Sequence, residues 1–92
     1  MITFDNVSKT YSDSSVALEA ISFAIEPAEF VSIVGHSGAG KTTLLKLLLA
    51  EEYPSEGAVF LGDQNIHVLS KGDISDLRRR IGMIFQVFRL LP

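Results

Sequence analysis

Apolar residues along this chain alternate, run together or recur at helical spacing, and each habit predicts a different element. Ile2-Thr3-Phe4-Asp5 alternates apolar and polar positions, as in a half-buried strand, and Val7-Ser8-Lys9-Thr10-Tyr11 continues it less regularly. The polar run Ser12-Asp13-Ser14-Ser15 reads as a turn. Within 18–26, Ile21, Phe23 and Ile25 recur at period two, with Ser22, Ala24 and Glu26 between them. That pattern predicts a second strand with one buried face, paired antiparallel with the first. Pro27-Ala28-Glu29 punctuates the chain, and Phe30-Val31-Ser32-Ile33-Val34 then reads as a short buried strand rich in β-branched residues.

The second half opens with helix formers. Residues 41–50 are apolar nearly all round, Lys46 being the main exception, which predicts a helix covered on several sides. Glu51-Glu52-Tyr53-Pro54-Ser55-Glu56-Gly57 ends it and turns the chain. Ala58-Val59-Phe60-Leu61 predicts a short strand, Gly62-Asp63 a turn, and 64–69 a return strand or loop. Gly72-Asp73 opens a short helix with Asp73 as its cap, Ile74, Leu77 and Ile81 on one face, and Arg78, Arg79 and Arg80 near its end. Ile81-Gly82-Met83-Ile84-Phe85 predicts another buried strand, ending at Gln86.

Composition narrows the classes. The chain has 92 residues, 47% of them hydrophobic, which excludes a disordered chain. A net charge of −3 argues against nucleic acid as the main partner. The absence of cysteine excludes disulfides, thiol catalysis and Cys-ligated zinc. The start, Met1-Ile2-Thr3-Phe4-Asp5, has no basic segment followed by an apolar core, so no secretory signal is expected. The apolar runs are too short to span a bilayer, so any membrane link is expected to run through a partner.

The chemistry sits between the predicted strand at 30–34 and the predicted helix at 41–50. Gly35-His36-Ser37-Gly38-Ala39-Gly40-Lys41-Thr42-Thr43 reads G-x-x-x-x-G-K-T, the phosphate-binding P-loop pattern. Its glycines let successive backbone N–H groups curl around a phosphate, and the helix start adds partial positive charge. In such a loop Lys41 reaches the β- and γ-phosphates and the Thr42 hydroxyl binds Mg²⁺, while Thr43 serves the helix start and contacts the α-phosphate. The side chain of His36, at a variable position, reads as solvent-facing rather than catalytic. His67 has no companion ligand and reads as surface. The expected architecture is α/β: a P-loop NTPase with an N-terminal antiparallel β subdomain packed on the start of the core. A parallel sheet needs both faces covered, and one long helix cannot do that. Residues 1–92 are therefore expected to be the N-terminal portion of one larger domain, marginally stable alone.

Three features together resemble the N-terminal half of ABC-type ATPases: the P-loop, Tyr11 in the turn between the first strands, and Gln86 after a downstream apolar run. The stretch Ala17-Leu18-Glu19-Ala20-Ile21-Ser22-Phe23 is similar as well, and the likeness covers essentially the whole chain. The resemblance implies that Tyr11 stacks on adenine, with Val16 as an adjacent apolar wall. It implies that Gln86 touches Mg²⁺ and the attacking water and signals to a membrane partner. Leu77-Arg78-Arg79-Arg80-Ile81-Gly82-Met83-Ile84-Phe85-Gln86, with His36, Lys46 and Arg89, leans toward the cell-division ATP-binding branch. Lipoprotein-release and macrolide exporters more often carry proline, asparagine and asparagine at those last three positions. The implied working unit is a homodimer that sandwiches ATP and Mg²⁺ on an integral membrane subunit of the FtsX type, at the cytoplasmic face of the membrane. An exporter ATPase and a non-catalytic nucleotide-binding module remain the alternatives. The family's signature loop, aspartate–glutamate strand and switch histidine are not found in 1–92, so these residues alone are expected to bind nucleotide weakly without efficient hydrolysis. Ala28, where the family usually has glycine, and Val87, where a polar residue is common, depart from its pattern.

Overall fold

The structure is a computed structural model that describes residues 1–34 and 39–88, with side chains except those of residues 31, 39, 40 and 84–88. Four strands form one antiparallel sheet in the order β2-β1-β3-β4. They are β1 (Ile2–Thr10), β2 (Val16–Ile25), β3 (Glu56–Leu61) and the two-residue β4 (Gln64–Asn65). The expected pairing of the first two strands holds, with Ile2 opposite Ile25 and Phe4 opposite Phe23. The turn between them is tied by Tyr11 N–H to Ser15 O and Ser14 N–H to Tyr11 O, both 2.9 Å. Asp13 closes it by accepting from the Ser15 hydroxyl and backbone, which together hold its carboxyl below the usual range.

Among the described residues, three α-helices pack on this sheet, α1 (Pro27–Val34), α2 (Ala39–Leu48) and α3 (Lys71–Phe88), with a short 3-10 turn at Ile66–Val68. The core joins Ile2, Phe4 and Val7 of β1, Leu18 of β2 and Val59 of β3 to Phe30, Leu47, Leu48, Ile66, Leu77 and Ile81. Ile2 and Phe4 point inward at the period-two spacing, and the irregularity at Asn6, with φ 50°, shifts the phase so that Val7 is the next inward residue. Phe4 stacks on Phe23 with centroids 4.7 Å apart and on Phe30 at 6.1 Å, so one aromatic column links β2, β1 and α1. Such pairs contribute about 0.5–1.5 kcal/mol each beyond the area they bury.

Two segments differ from the sequence expectation. Residues 30–34, expected as a strand, lie in α1, and residues 81–85, expected as a strand, continue α3. Local signals explain the first. Pro27 occupies the first helical position, where its missing N–H costs nothing, and Glu29 reaches back to accept the Glu26 N–H at 3.2 Å, half of a capping box. Ala28 favours the helix by about 1 kcal/mol over a glycine in the same place. The second segment extends the stripe of Ile74, Leu77 and Ile81, because Ile84 and Phe88 follow at the same 3–4 spacing in sequence. Both helices pair their backbone groups internally. A parallel strand needs ladder neighbours, and none is present among the described residues.

The start of α3 is also corrected. Ser70 rather than Asp73 is the cap, its hydroxyl accepting the Asp73 N–H at 3.2 Å. The triple arginine accordingly lies inside the helix, not at its end. Arg79 pairs with Asp76 on the exposed side. Arg78 donates from Nε to Leu49 O at 2.8 Å and from Nη2 to Ala50 O at 3.5 Å. These carbonyls follow the last turn of α2, where Ala50 at φ 59° and the bonds Ala50 N–H to Leu47 O and Glu51 N–H to Lys46 O make a Schellman ending. The guanidinium thus serves the negative end of α2 and pins α3 to it. Arg78→Ala is expected to lower unfolding stability by about 1 kcal/mol, read as a reduced urea midpoint. The same change at exposed Arg80 should cost far less.

Candidate functional site

The turn after β1 and the first turns of α2 face each other across an open pocket of about 530 Å³. Tyr11, Ser15, Val16 and Ala17 line one side, and Thr42, Thr43 and Lys46 the other. Local folding sets this up. The tied turn at 11–15 presents the Tyr11 ring, and β2 begins immediately after it, leaving Val16 59% exposed. Packing of α2 against β2 brings the helix start alongside. Tyr11, Thr42 and Thr43, three residues singled out from sequence, therefore share one cavity, and Val16 lies in its wall.

Thr43 is buried, 5% exposed, with its hydroxyl 3.4 Å from Tyr11 Oη. Tyr11 Oη also donates to Glu52 Oε2 at 2.6 Å. Lys9 Nζ lies 5.2 Å from the centroid of the Tyr11 ring, over its face, and donates to Tyr53 O at 2.8 Å. Thr42 is exposed at the helix start, and Lys41 beside it is half-buried. Ala39 and Gly40 have helical backbone as the first residues of α2. Gly35, His36, Ser37 and Gly38 lie outside the described residues, as do Arg89 and the side chains of Gln86 and Val87. The Gln86 backbone is in the last turns of α3, so the expectation that it ends a strand is corrected.

Among the described residues, no group of three or more His, Cys, Asp or Glu could hold a metal ion. A cation at this site would therefore rely on hydroxyls and on oxygens brought by a ligand. Mg²⁺ bound with a polyphosphate fits that requirement, with Thr42 as the hydroxyl donor, because Mg²⁺ takes few protein ligands and shares phosphate oxygens.

Sequence reasoning missed Lys9, Ser15 and Glu52. None sits in a motif, and only the closure of the turn onto α2 brings them together. It read His67 as surface, whereas the structure partly buries that side chain. The ring lies 5.0 Å from that of Tyr53, and neither nitrogen makes a regular hydrogen bond among the described residues. Burial lowers its pKa below the usual 6.5, while the carbonyls of Leu47 and Glu52 pull upward. The folded state accordingly binds fewer protons here than the unfolded chain. The stability His67 contributes is whole above about pH 6.5 and is lost as pH falls below it toward the folded pKa. Urea midpoints measured between about pH 7 and about pH 5 should fall, and His67→Gln should flatten that fall.

No described helix is long and apolar enough to cross a membrane. The chain is 45% identical over 91 residues to the cell division ATP-binding protein FtsE of Escherichia coli K12, covering 99% of this chain and 41% of that protein. It is 41% identical to FtsE of Bacillus subtilis, over all of this chain and 40% of that one. The methionine import ATP-binding protein MetN of Xanthomonas oryzae is 46% identical, over 99% of this chain and 28% of its own. The chain thus spans about two fifths or less of the length of these relatives. Among solved structures, a dimeric ATP-binding cassette in a post-hydrolysis state bound to ADP and Pi aligns with TM-score 0.64 and 28% identity, over 86% of this chain and 35% of that one. The sequence pattern of the ABC transporter family matches residues 18–92, and together with the shared fold this establishes that the chain belongs to that family.

Proposed function

We propose that residues 1–92 form the N-terminal portion of an ABC ATP-binding domain, and that the full-length protein is the ATPase subunit of a membrane-associated complex. The observation that carries this reading is the single pocket joining Tyr11 and Val16 to Thr42 and Thr43. Tyr11 and Val16 offer an aromatic face and an apolar wall to a base, and the start of α2 offers hydroxyls and N–H groups to phosphates. Gly35, His36, Ser37, Gly38, Ala39 and Gly40 complete the phosphate cradle, with Lys41 on the terminal phosphates and Thr42 on Mg²⁺. Gln86 contacts Mg²⁺ and the attacking water. Bound Mg²⁺ supplies charge neutralisation at the phosphates. The chain's own residues orient the nucleotide, and positioning and charge stabilisation dominate such catalysis. Residues 1–92 alone bind nucleotide at most weakly and without efficient turnover, and the working unit is a head-to-tail homodimer at the cytoplasmic face of the membrane.

Within the family, the reading is the cell-division system, in which ATP binding and hydrolysis drive an integral membrane subunit of the FtsX type to regulate cell-wall hydrolysis. FtsE relatives from two distant bacteria support it, along with the leanings at His36, Lys46 and Arg89. A transport ATPase is the second reading, favoured by the equal likeness to a methionine import protein. Affinity purification of the full-length protein from its own membranes separates them. Recovery of a four-span subunit with a small extracytoplasmic domain is the expected result, and recovery of a permease instead would overturn the division reading. Absence of ATP turnover by the full-length protein with its membrane partner would overturn the ATPase reading itself.

A further inference from the structure

The phenol of Tyr11 is held from several directions, and that restraint has a purpose if the ring is a platform for a base. Tyr11 Oη donates to Glu52 Oε2 at 2.6 Å and lies 3.4 Å from Thr43 Oγ1. Glu52 follows the end of α2, whereas Thr43 is near its start. The one hydroxyl is thus tied to the body of the helix that follows the phosphate cradle and to the segment just beyond that helix's end. Lys9 Nζ covers a face of the ring at 5.2 Å and is itself anchored on Tyr53 O. The backbone of Tyr11 is fixed by two hydrogen bonds within its turn. A charged acceptor makes the shortest of these contacts, and such bonds are about twice as strong as neutral ones.

We infer that Glu52 is a positioning residue for nucleotide recognition: it fixes the Tyr11 ring, with Lys9 on one face, so that the other face receives the nucleobase. This rests on the proposed nucleotide-binding role of Tyr11 and adds to it the group that sets the ring's orientation. A platform locked before binding gives up less rotational freedom when a base stacks on it, so the restraint appears as affinity. Because Glu52 acts only through the ring, it contributes to the base-dependent part of that affinity and not to the phosphate part.

The test is binding of Mg·ATP and of Mg·tripolyphosphate, which has no base, to the full-length protein and its variants. Glu52→Ala and Tyr11→Phe, which keeps the ring but removes its tether, are each expected to weaken ATP about fivefold and to leave tripolyphosphate within about twofold. The double variant should be no weaker than either single one, since both remove the same bond. Glu52→Gln, which keeps an acceptor oxygen, should restore ATP to within about twofold of the parent. Equal weakening of both ligands by Glu52→Ala would show a general structural role and overturn the inference. Full additivity with Tyr11→Phe, or unchanged ATP affinity, would overturn it too. Tyr11→Ala separates this from the underlying reading. If it weakens ATP selectively while Glu52→Ala does nothing, only the positioning role fails. If it leaves the ratio of ATP to tripolyphosphate affinity unchanged, the base-stacking role fails and the inference with it.

Discussion

Lys41→Ala in the full-length protein is expected to weaken ATP binding on the order of tenfold to a hundredfold, because a charge-assisted hydrogen bond to phosphate is lost. The lysine lies at the start of α2, where the helix already presents positive partial charge. Removing a cation from that end relieves an unfavourable interaction with the helix dipole, so the helix itself is not weakened by the change. Loss of binding at unchanged thermal midpoint therefore points to the phosphate contact and not to unfolding. Calorimetric titration with Mg·ATP reads the affinity directly. Parent-like affinity in Lys41→Ala would remove the P-loop from the account.

Gly57→Ala is expected to be the most destabilising of the small substitutions, by about 3 kcal/mol or more. Gly57 lies in β3 at φ +85°, and a Cβ there would stand 2.3 Å from Asn6 O and 2.5 Å from Asp5 O. Both obstacles are backbone atoms of β1, so no side-chain rotation can make room. They sit where the β1–β3 register shifts between Asp5 and Ser8, with Asn6 itself at φ 50°. An alanine would have to break the ladder that holds the sheet's two central strands together. Gly72→Ala provides the contrast. It lies in α3 with open space where its Cβ would be, so alanine should stabilise by about 0.5–1 kcal/mol. Urea melts of the two variants should shift in opposite directions.

Period-two alternation at Ile2, Phe4, Ile21, Phe23 and Ile25 is a strong signal, because one-face burial dictates it. That is why β1, β2 and their antiparallel pairing were legible. The same holds for α2 and for the stripe of Ile74, Leu77 and Ile81, of which Leu77 and Ile81 are buried and Ile74 packs against them. Short apolar runs are ambiguous, because continuous apolarity fits a buried strand and a packed helix equally well. At 30–34 the decision lay in Pro27 and Glu29, read as punctuation when they are helix-start residues. At 81–85 it lay in the spacing to Leu77 and onward to Phe88, which a window confined to the run does not see. In the candidate site, Thr42 and Thr43 could be named from the P-loop motif, which gives each a stated chemistry, and Tyr11 only through the family resemblance. Glu52 and Lys9 could not, since their roles arise from a turn folding back on the end of a helix forty residues away in the chain, roughly the separation of Tyr11 and Glu52.

The central claim is that one pocket between the 11–15 turn and the start of α2 takes both the base and the phosphates of a nucleotide. A crystal structure of the full-length protein with Mg²⁺ and a non-hydrolysable ATP analogue tests it most directly. The account predicts the triphosphate on residues 35–43, with Lys41 and Thr42 in contact with it and the adenine against the ring of Tyr11. A nucleotide bound elsewhere, or one whose base lies away from Tyr11, would contradict it.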